Sequence, residues 1–228
     1  MNPIVQLDSI SRIYTNGYVK QSALNSVSLS VFKGDFVAVT GPSGSGKSTL
    51  LNIMGFIDRP SDGNHSFLGQ DITSKSLSEL NTFRRNHIGF VLQSYALIET
   101  YTVKQNIELP LRYLKVKGSE RKQRIASVVQ QLGIQDKLSN YPYQLSIGQI
   151  QRAAIARAIV TNPDLLLADE PTGALDTTNS NQVIEIFRQL NQQGTTIVLV
   201  THNDAIARSI PKQIHLVDGK VQYSILCS

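Results

Sequence analysis

Gly41-Pro42-Ser43-Gly44-Ser45-Gly46-Lys47-Ser48 is a glycine-rich turn that ends in a lysine and a hydroxyl. Its glycines let the main chain curl until several N–H groups face one concavity, which is what a run of phosphates needs. Apolar Phe36-Val37-Ala38-Val39 stands just before it. A helical stretch from Lys47 to Met54, with Gly55 as its stop, stands just after. The turn therefore leads into a helix N-terminus, whose partial positive charge also favours anions. Ser43, Gly44, Ser45, Gly46, Lys47, Ser48 and Thr49 form a candidate site for a nucleoside triphosphate. In it Lys47 reaches the β- and γ-phosphates and the Ser48 hydroxyl ligates Mg²⁺.

A second chemical group is Asp169-Glu170, delivered by the apolar run Leu165 to Ala168 and stopped by Pro171. Carboxylates at a strand end beside a phosphate loop suit a Mg²⁺ contact, Asp169 through water, and a general base for an attacking water, Glu170. A third is Leu145-Ser146-Ile147-Gly148-Gln149. Ser146 followed three residues later by Gln149 is a capping-box pattern, so a helix is expected to begin there and run to about Val160. Alone, that pattern is no more than a well-capped helix.

Four short apolar runs must position these groups: Phe36–Val39, Ile88–Leu92, Leu165–Ala168 and Ile197–Val200. Unbroken apolar runs of this length belong to strands covered on both faces, the usual state of parallel sheets. Helical spacing fills the gaps, as in Ile125, Val128, Val129 and Leu132 before Gly133, and in Val183 to Leu190. The first segment, roughly Ile4 to Val39, alternates apolar and polar residues like half-exposed strands, and Asp218-Gly219 reads as a hairpin turn. The pattern predicts an α/β protein: a mostly parallel core, an antiparallel lobe at the start, and a helical lobe over about 95–160. Each buried run ends in polar residues: Thr40-Gly41, Gln93, Asp169-Glu170 and Thr201-His202. Ligands of open α/β sheets bind beyond the carboxyl ends of the strands, so these four sites converge on one edge.

Composition narrows the class. With 228 residues, 41% of them hydrophobic, the chain can bury a sizeable core. No apolar run approaches the ~20 residues of a membrane-spanning helix, and Met1 to Arg12 lacks the layout of a secretory signal. The single cysteine, Cys227, permits no internal disulfide, which suits a cytosolic setting. The net charge of +5 is not concentrated: neither Arg84-Arg85 nor the Lys115–Arg124 stretch is long enough for a nucleic-acid arm.

The phosphate loop, Gln93, Leu-Ser-x-Gly-Gln from Leu145, Leu-Leu-Leu-Ala-Asp-Glu from Leu165, Ala174-Leu175-Asp176 and His202 occur in order. Together they resemble the nucleotide-binding subunits of ABC transporters across essentially the whole chain. The resemblance implies one ABC-type P-loop NTPase domain over 1–228, binding ATP with Mg²⁺. Finer features resemble the macrolide-export and lipoprotein-release (MacB and LolD) branch: Asp58-Arg59-Pro60 with Gly63, Asn106 to Leu111, and Thr172 to Asp176. By the same resemblance Tyr14 stacks on adenine, Gln93 touches Mg²⁺ or the attacking water, and His202 contacts the γ-phosphate. Ser146, Gly148 and Gln149 close on the ATP of a second copy, and Asp176 lies in the loop that joins the two sites. The implied partners are that second copy, arranged head to tail, and an integral membrane permease that holds the subunit at the inner face of the membrane; nucleic acid is not among them.

The pairing has a physical rationale. The phosphate loop already serves the chain's own nucleotide, yet the Ser146 helix start is another anion site. Ile147 departs from the family pattern, which has glycine there. A β-branched side chain disfavours positive φ, so Ile147 must sit in an ordinary conformation. Two other readings share parts of the pattern: the ATPase of a solute importer, and a soluble ATPase acting on DNA or the ribosome. Only about 100 residues separate Ser48 from Ser146, which leaves no room for the long coiled coil of chromosome-type members.

Overall fold

The computed structural model describes residues 2–17 and 19–226; Met1 and Cys227, which entered the targeting and redox readings, lie outside them. The chain opens with a long antiparallel pair, β1 (Pro3–Asn16) and β2 (Val19–Phe32). Leu7 and Ile10 both point inward at 0% exposure although three residues apart, which strict alternation forbids. A bulge resolves this: Ser9 has φ 55° and the register with β2 shifts between Leu7 and Ile10. β4 (Asp62–Phe67) and the short β5 (Gln70–Asp71) extend this sheet in the order β2-β1-β4-β5. Neither strand was evident in the sequence, and nor was α2 (Leu77–His87), which is capped by Ser76 and Glu79.

Between β2 and β4 come β3 (Phe36–Thr40) and α1 (Lys47–Met54). After α2 follow β6 (Ile88–Val91), then α3 (Val103–Tyr113), α4 (Gly118–Gln131) and α5 (Ile147–Ile159). These three helices make the lobe expected over 95–160. The chain returns through β7 (Leu165–Asp169), α6 (Thr177–Gln192), β8 (Thr196–Val200), the five-residue α7 (Asp204–Arg208), β9 (Lys212–Val217) and β10 (Lys220–Leu226).

The six-stranded sheet has the order β10-β9-β3-β8-β7-β6; β9 through β6 are parallel and only β10 is antiparallel, joined by the expected turn at Asp218-Gly219. Successive residues of its inner strands serve opposite faces. Phe36, Ala38, Leu166, Ala168, Ile197 and Leu199 join one core with α3 to α7. Val37, Val39, Leu165, Leu167, Val198 and Val200 join a second, in which α1 is packed between the two sheets. Burial on both faces is why these runs carry no polar alternation. Because the strands are parallel, Thr40, Asp169 and Thr201 emerge side by side.

Candidate functional site

The phosphate loop leaves β3 at Thr40, whose hydroxyl lies 2.9 Å from Nδ1 of His215 on the neighbouring β9. Only glycine fits at its first and sixth places. Gly41 has φ 140° and a Cβ there would lie 1.9 Å from the Leu216 carbonyl oxygen; Gly46 has φ 100° and would meet the Ala23 oxygen at 2.3 Å. The loop is thus held against β2 and β9. The β9–β10 turn braces it further: Gly219 N–H donates to the Ser45 carbonyl at 3.0 Å, and the Gly219 carbonyl accepts from Asn25 N–H at 2.8 Å. Lys47 Nζ folds back over the loop and donates to the carbonyls of Gly41 (2.9 Å) and Pro42 (2.7 Å). Those acceptors are neutral and can be exchanged for phosphate oxygens. Ser45 is buried with its hydroxyl unpartnered, so any phosphate contact it makes comes from its main chain.

At the end of β7, the Asp169 carboxyl lies near the Ser48 hydroxyl. Burial lifts its carboxyl above the ordinary carboxylate range; the Ser48 hydroxyl opposes this, the charge of Glu170 adds to it, and Lys47 opposes it. A partly desolvated carboxylate beside a hydroxyl is a set of hard oxygen donors short of positive charge. That fits Mg²⁺, which takes one or two protein oxygens and fills its shell with water and substrate phosphates. Glu170 has φ 46°, a strained backbone worth about 1–3 kcal/mol that its neighbours must hold. Its N–H donates to the Val200 carbonyl at 3.0 Å, and its carboxylate stands 3.1 Å from Nδ1 of His202. Gln93 is exposed beyond the end of β6 and does not line the cleft; a Cβ placed on Gly173 would lie 3.4 Å from both Gln93 Nε2 and Glu170 Oε2.

These groups open on a cleft of about 560 Å³, lined by Lys47, Ser48, Thr49, Ser43, Gly44 and Gly46 on one side and by Glu170 and His202 on another. Tyr14 forms its far wall. The Tyr14 hydroxyl donates to Asp58 Oδ2 at 2.6 Å, and the Arg12 guanidinium, itself paired with Asp58 at 2.8 Å, covers the ring at 4.5 Å from its centroid. Anchored this way, the ring has a fixed orientation at the edge of the cleft. Gln21 and Ala23 complete the wall and were not singled out from the sequence. Gln21 sits directly across from Tyr14 in the regular stretch of the β1–β2 register that runs from Ile13 to Asn16.

Ser146 caps α5 as expected: its hydroxyl accepts from Gln149 N–H at 3.4 Å, while the Gln149 side chain accepts from Ser146 N–H at 3.0 Å. Ile147 is the first helical residue, with ordinary φ and 51% exposure. Gly148 has a packing reason: a Cβ there would sit 2.7 Å from Asn179 Oδ1, and Asn179 in turn donates through Nδ2 to Asp176 at 2.8 Å. Asn179, also unnoticed in the sequence, therefore bridges the Ser146 turn and the Asp176 loop. Among the described residues, none of Ser146, Gly148 or Gln149 lines the nucleotide cleft. The structure brings Tyr14, the phosphate loop, Asp169, Glu170 and His202 together and leaves the Ser146 turn apart from them.

Known proteins agree with this geometry. The ABC transporter family profile matches residues 24–173. The macrolide export ATP-binding/permease protein MacB of Marinobacter nauticus is 42% identical over 219 residues, covering 96% of this chain but only 34% of that protein, so the chain spans about a third of such relatives. YknY of Bacillus subtilis, an ABC transporter ATP-binding protein, is 42% identical over 218 residues, covering 96% of this chain and 95% of its own. Among solved structures, the dimeric bacterial ABC transporter cassette MJ0796 superposes with a TM-score of 0.91 at 38% identity, covering 98% of this chain and 99% of its own. A post-hydrolysis form of the same cassette, bound to ADP and Pi, matches equally well. With the motifs in place on the fold and these relatives aligned along nearly its full length, the chain belongs to the ABC transporter family.

Proposed function

We propose that this chain is the ATP-binding and ATP-hydrolysing subunit of a MacB- or LolD-type transporter, acting as a head-to-tail pair that drives a separate membrane permease in export, membrane extraction or mechanical signalling. The observation that carries this reading is the division of the chain into two anion sites. One is a cleft with every group for phosphate binding and water activation. The other is a capped helix N-terminus that lies outside it. A two-fold pair places the second site of each copy over the cleft of the other.

In that arrangement the phosphate loop N–H groups and Lys47 hold the triphosphate, and Tyr14 stacks against the adenine. Ser48 and Asp169 would hold Mg²⁺, with Gln93 as a further candidate oxygen donor, and the ion would supply positive charge against the developing negative charge of the phosphates. Glu170 accepts a proton from the water aligned with the γ-phosphorus, and His202 steadies the γ-phosphate from beside it. The partner's Ser146 turn completes the enclosure, so pairing is part of catalysis. The permease has a fitting surface. A groove of about 680 Å³ between α2, β6, α3 and α5 is walled by Ile57, Phe90, Leu109, Pro110 and Tyr113, of which Ile57 and Tyr113 are 50% and 61% exposed. Among the described residues no helix is long and apolar enough to cross a membrane, which fits a subunit attached to the membrane through a partner.

Mixing two damaged chains tests the pairing. Lys47→Ala removes the cradle of one copy and Ser146→Asp the turn of the other. A head-to-tail heterodimer then keeps one intact composite site, so the mixture hydrolyses ATP although neither chain does so alone. Failure of the mixture to regain turnover, with both chains folded and wild type active, overturns the head-to-tail reading.

A further inference from the structure

The segment after Gln93 contains a strained corner. Tyr95 (φ 59°) and Ala96 (φ 50°) are consecutive non-glycine residues in the left-handed region. Each such residue costs roughly 1–3 kcal/mol, so the surrounding structure must hold the corner in place. Local hydrogen bonds contribute: Tyr95 N–H donates to the Leu92 carbonyl at 3.0 Å, and Ala96 N–H to the Ser94 carbonyl at 2.6 Å. These leave the carbonyls of Tyr95 and Ala96 directed elsewhere. Both accept from one side chain, Arg157 of α5, whose Nη2 and Nη1 donate to them at 2.9 and 2.6 Å.

Arg157 is part-buried, which disfavours its charge, and among the described residues no carboxylate lies within ion-pair reach of it. A guanidinium whose hydrogen bonds go to two carbonyls is tied to the position of those carbonyls. The corner is also not at its own optimum, since the Tyr95 hydroxyl is buried with no partner. Finally, Arg157 stands on the helix that Ser146 caps and lines the groove beside Phe90 and Leu92.

We propose that Arg157 is the positioning residue for Gln93: it pins the left-handed Tyr95–Ala96 corner, and so fixes the loop that carries Gln93 to the helix that presents Ser146. Closure of the Ser146 turn onto a nucleotide then moves Gln93 as one body with α5. The inference rests on the reading of Gln93 as part of the ATPase machinery.

Arg157→Lys keeps the charge and loses the fork that spans two carbonyls. In the full-length chain with MgATP, it is expected to lower kcat about ten- to a hundredfold with KM within about twofold, and with an unchanged melting temperature. The effect acts through Gln93, so Arg157→Lys added to Gln93→Ala is expected to be no slower than Gln93→Ala alone. Amide exchange gives a readout free of turnover: Ser94 to Leu97 exchange about tenfold faster in Arg157→Lys while α5 is unchanged. Normal kcat, an equal further loss in the Gln93→Ala background, or unchanged exchange in this segment each overturns the proposal. Gln93→Ala turning over normally removes the reading of Gln93, and this proposal with it; Gln93→Ala slow beside a normal Arg157→Lys removes the proposal alone.

Discussion

The nucleotide cleft and the Ser146 turn, the two anion sites of the proposed pair, are finished to different degrees. In the cleft, side chains from distant segments already meet: Ser48 lies near Asp169, Glu170 stands beside His202, and Lys47 is folded over its own loop. The two cores grip the strands that carry them from both faces. At the Ser146 turn, by contrast, the functional atoms bond only within their own cap, and Ile147 and Tyr143 nearby are 51% and 73% exposed. A site whose parts answer one another inside one chain can bind alone. A site whose parts answer only themselves is what the proposed pairing would complete. The difference teaches that damage to the two regions should separate binding from pairing.

The largest effect falls on the cleft. Glu170→Gln keeps the shape and removes the base, so turnover falls by about 10²–10³ while ATP still binds and stabilises the paired form. Sedimentation with MgATP checks this, and a variant that hydrolyses normally takes Glu170 out of that role. Next comes Ser146→Asp. Aspartate caps a helix as well as serine does, so stability should be unchanged. A carboxylate about 6 Å from a phosphate, however, costs roughly 3 kcal/mol at an effective dielectric near 20. Nucleotide affinity of the single chain is expected to be intact and ATP-driven pairing lost. Lost affinity for the nucleotide would erase the contrast, because it would place Ser146 in its own chain's site.

How far the sequence reaches divides along the same line. The phosphate loop, the strand ends at Asp169 and Thr201, and the Ser146 cap were legible because each depends on neighbours within a few residues. What was not legible depends on distant contacts. Asp62 to Phe67 did not look like a strand, since Asp-Gly-Asn-His is polar and the buried His65 hides as a surface type. Gln21 belongs to the cleft through its cross-strand pairing with Tyr14. Asn179 against Gly148, and Arg157 under Tyr95, join segments 31 and 62 residues apart. Gln93 follows the end of β6 where the strand pattern expects it, and a Cβ on Gly173 would meet its Nε2 and the Glu170 carboxylate at the same 3.4 Å. Strand ends locate a site; which side chains brace it is decided by packing.

The smallest expected effect concerns how the cleft's aromatic wall is supported. Beneath Asp58, the anchor of Tyr14, a cavity of about 150 Å³ is shared with His65, which is 2% exposed, packs on Phe56 at 5.4 Å, and leaves Nε2 without a partner. Burial lowers its pKa to about 4, against a weaker opposing pull from Asp71. The folded protein therefore keeps this imidazole neutral, while the unfolded chain takes up a proton below about pH 6.5. Stability from this group is fully present above that value and drains away as pH falls toward 4. At pH 5 the loss is about 2 kcal/mol. His65→Leu cannot take up the proton, so it should lose about that much less stability than wild type between pH 7 and pH 5 in urea denaturation. The cap of the Ser146 turn is made of neutral groups. Acid should therefore loosen the Tyr14 wall before it touches the turn, and equal pH slopes in the two proteins would show that His65 is not what carries that asymmetry.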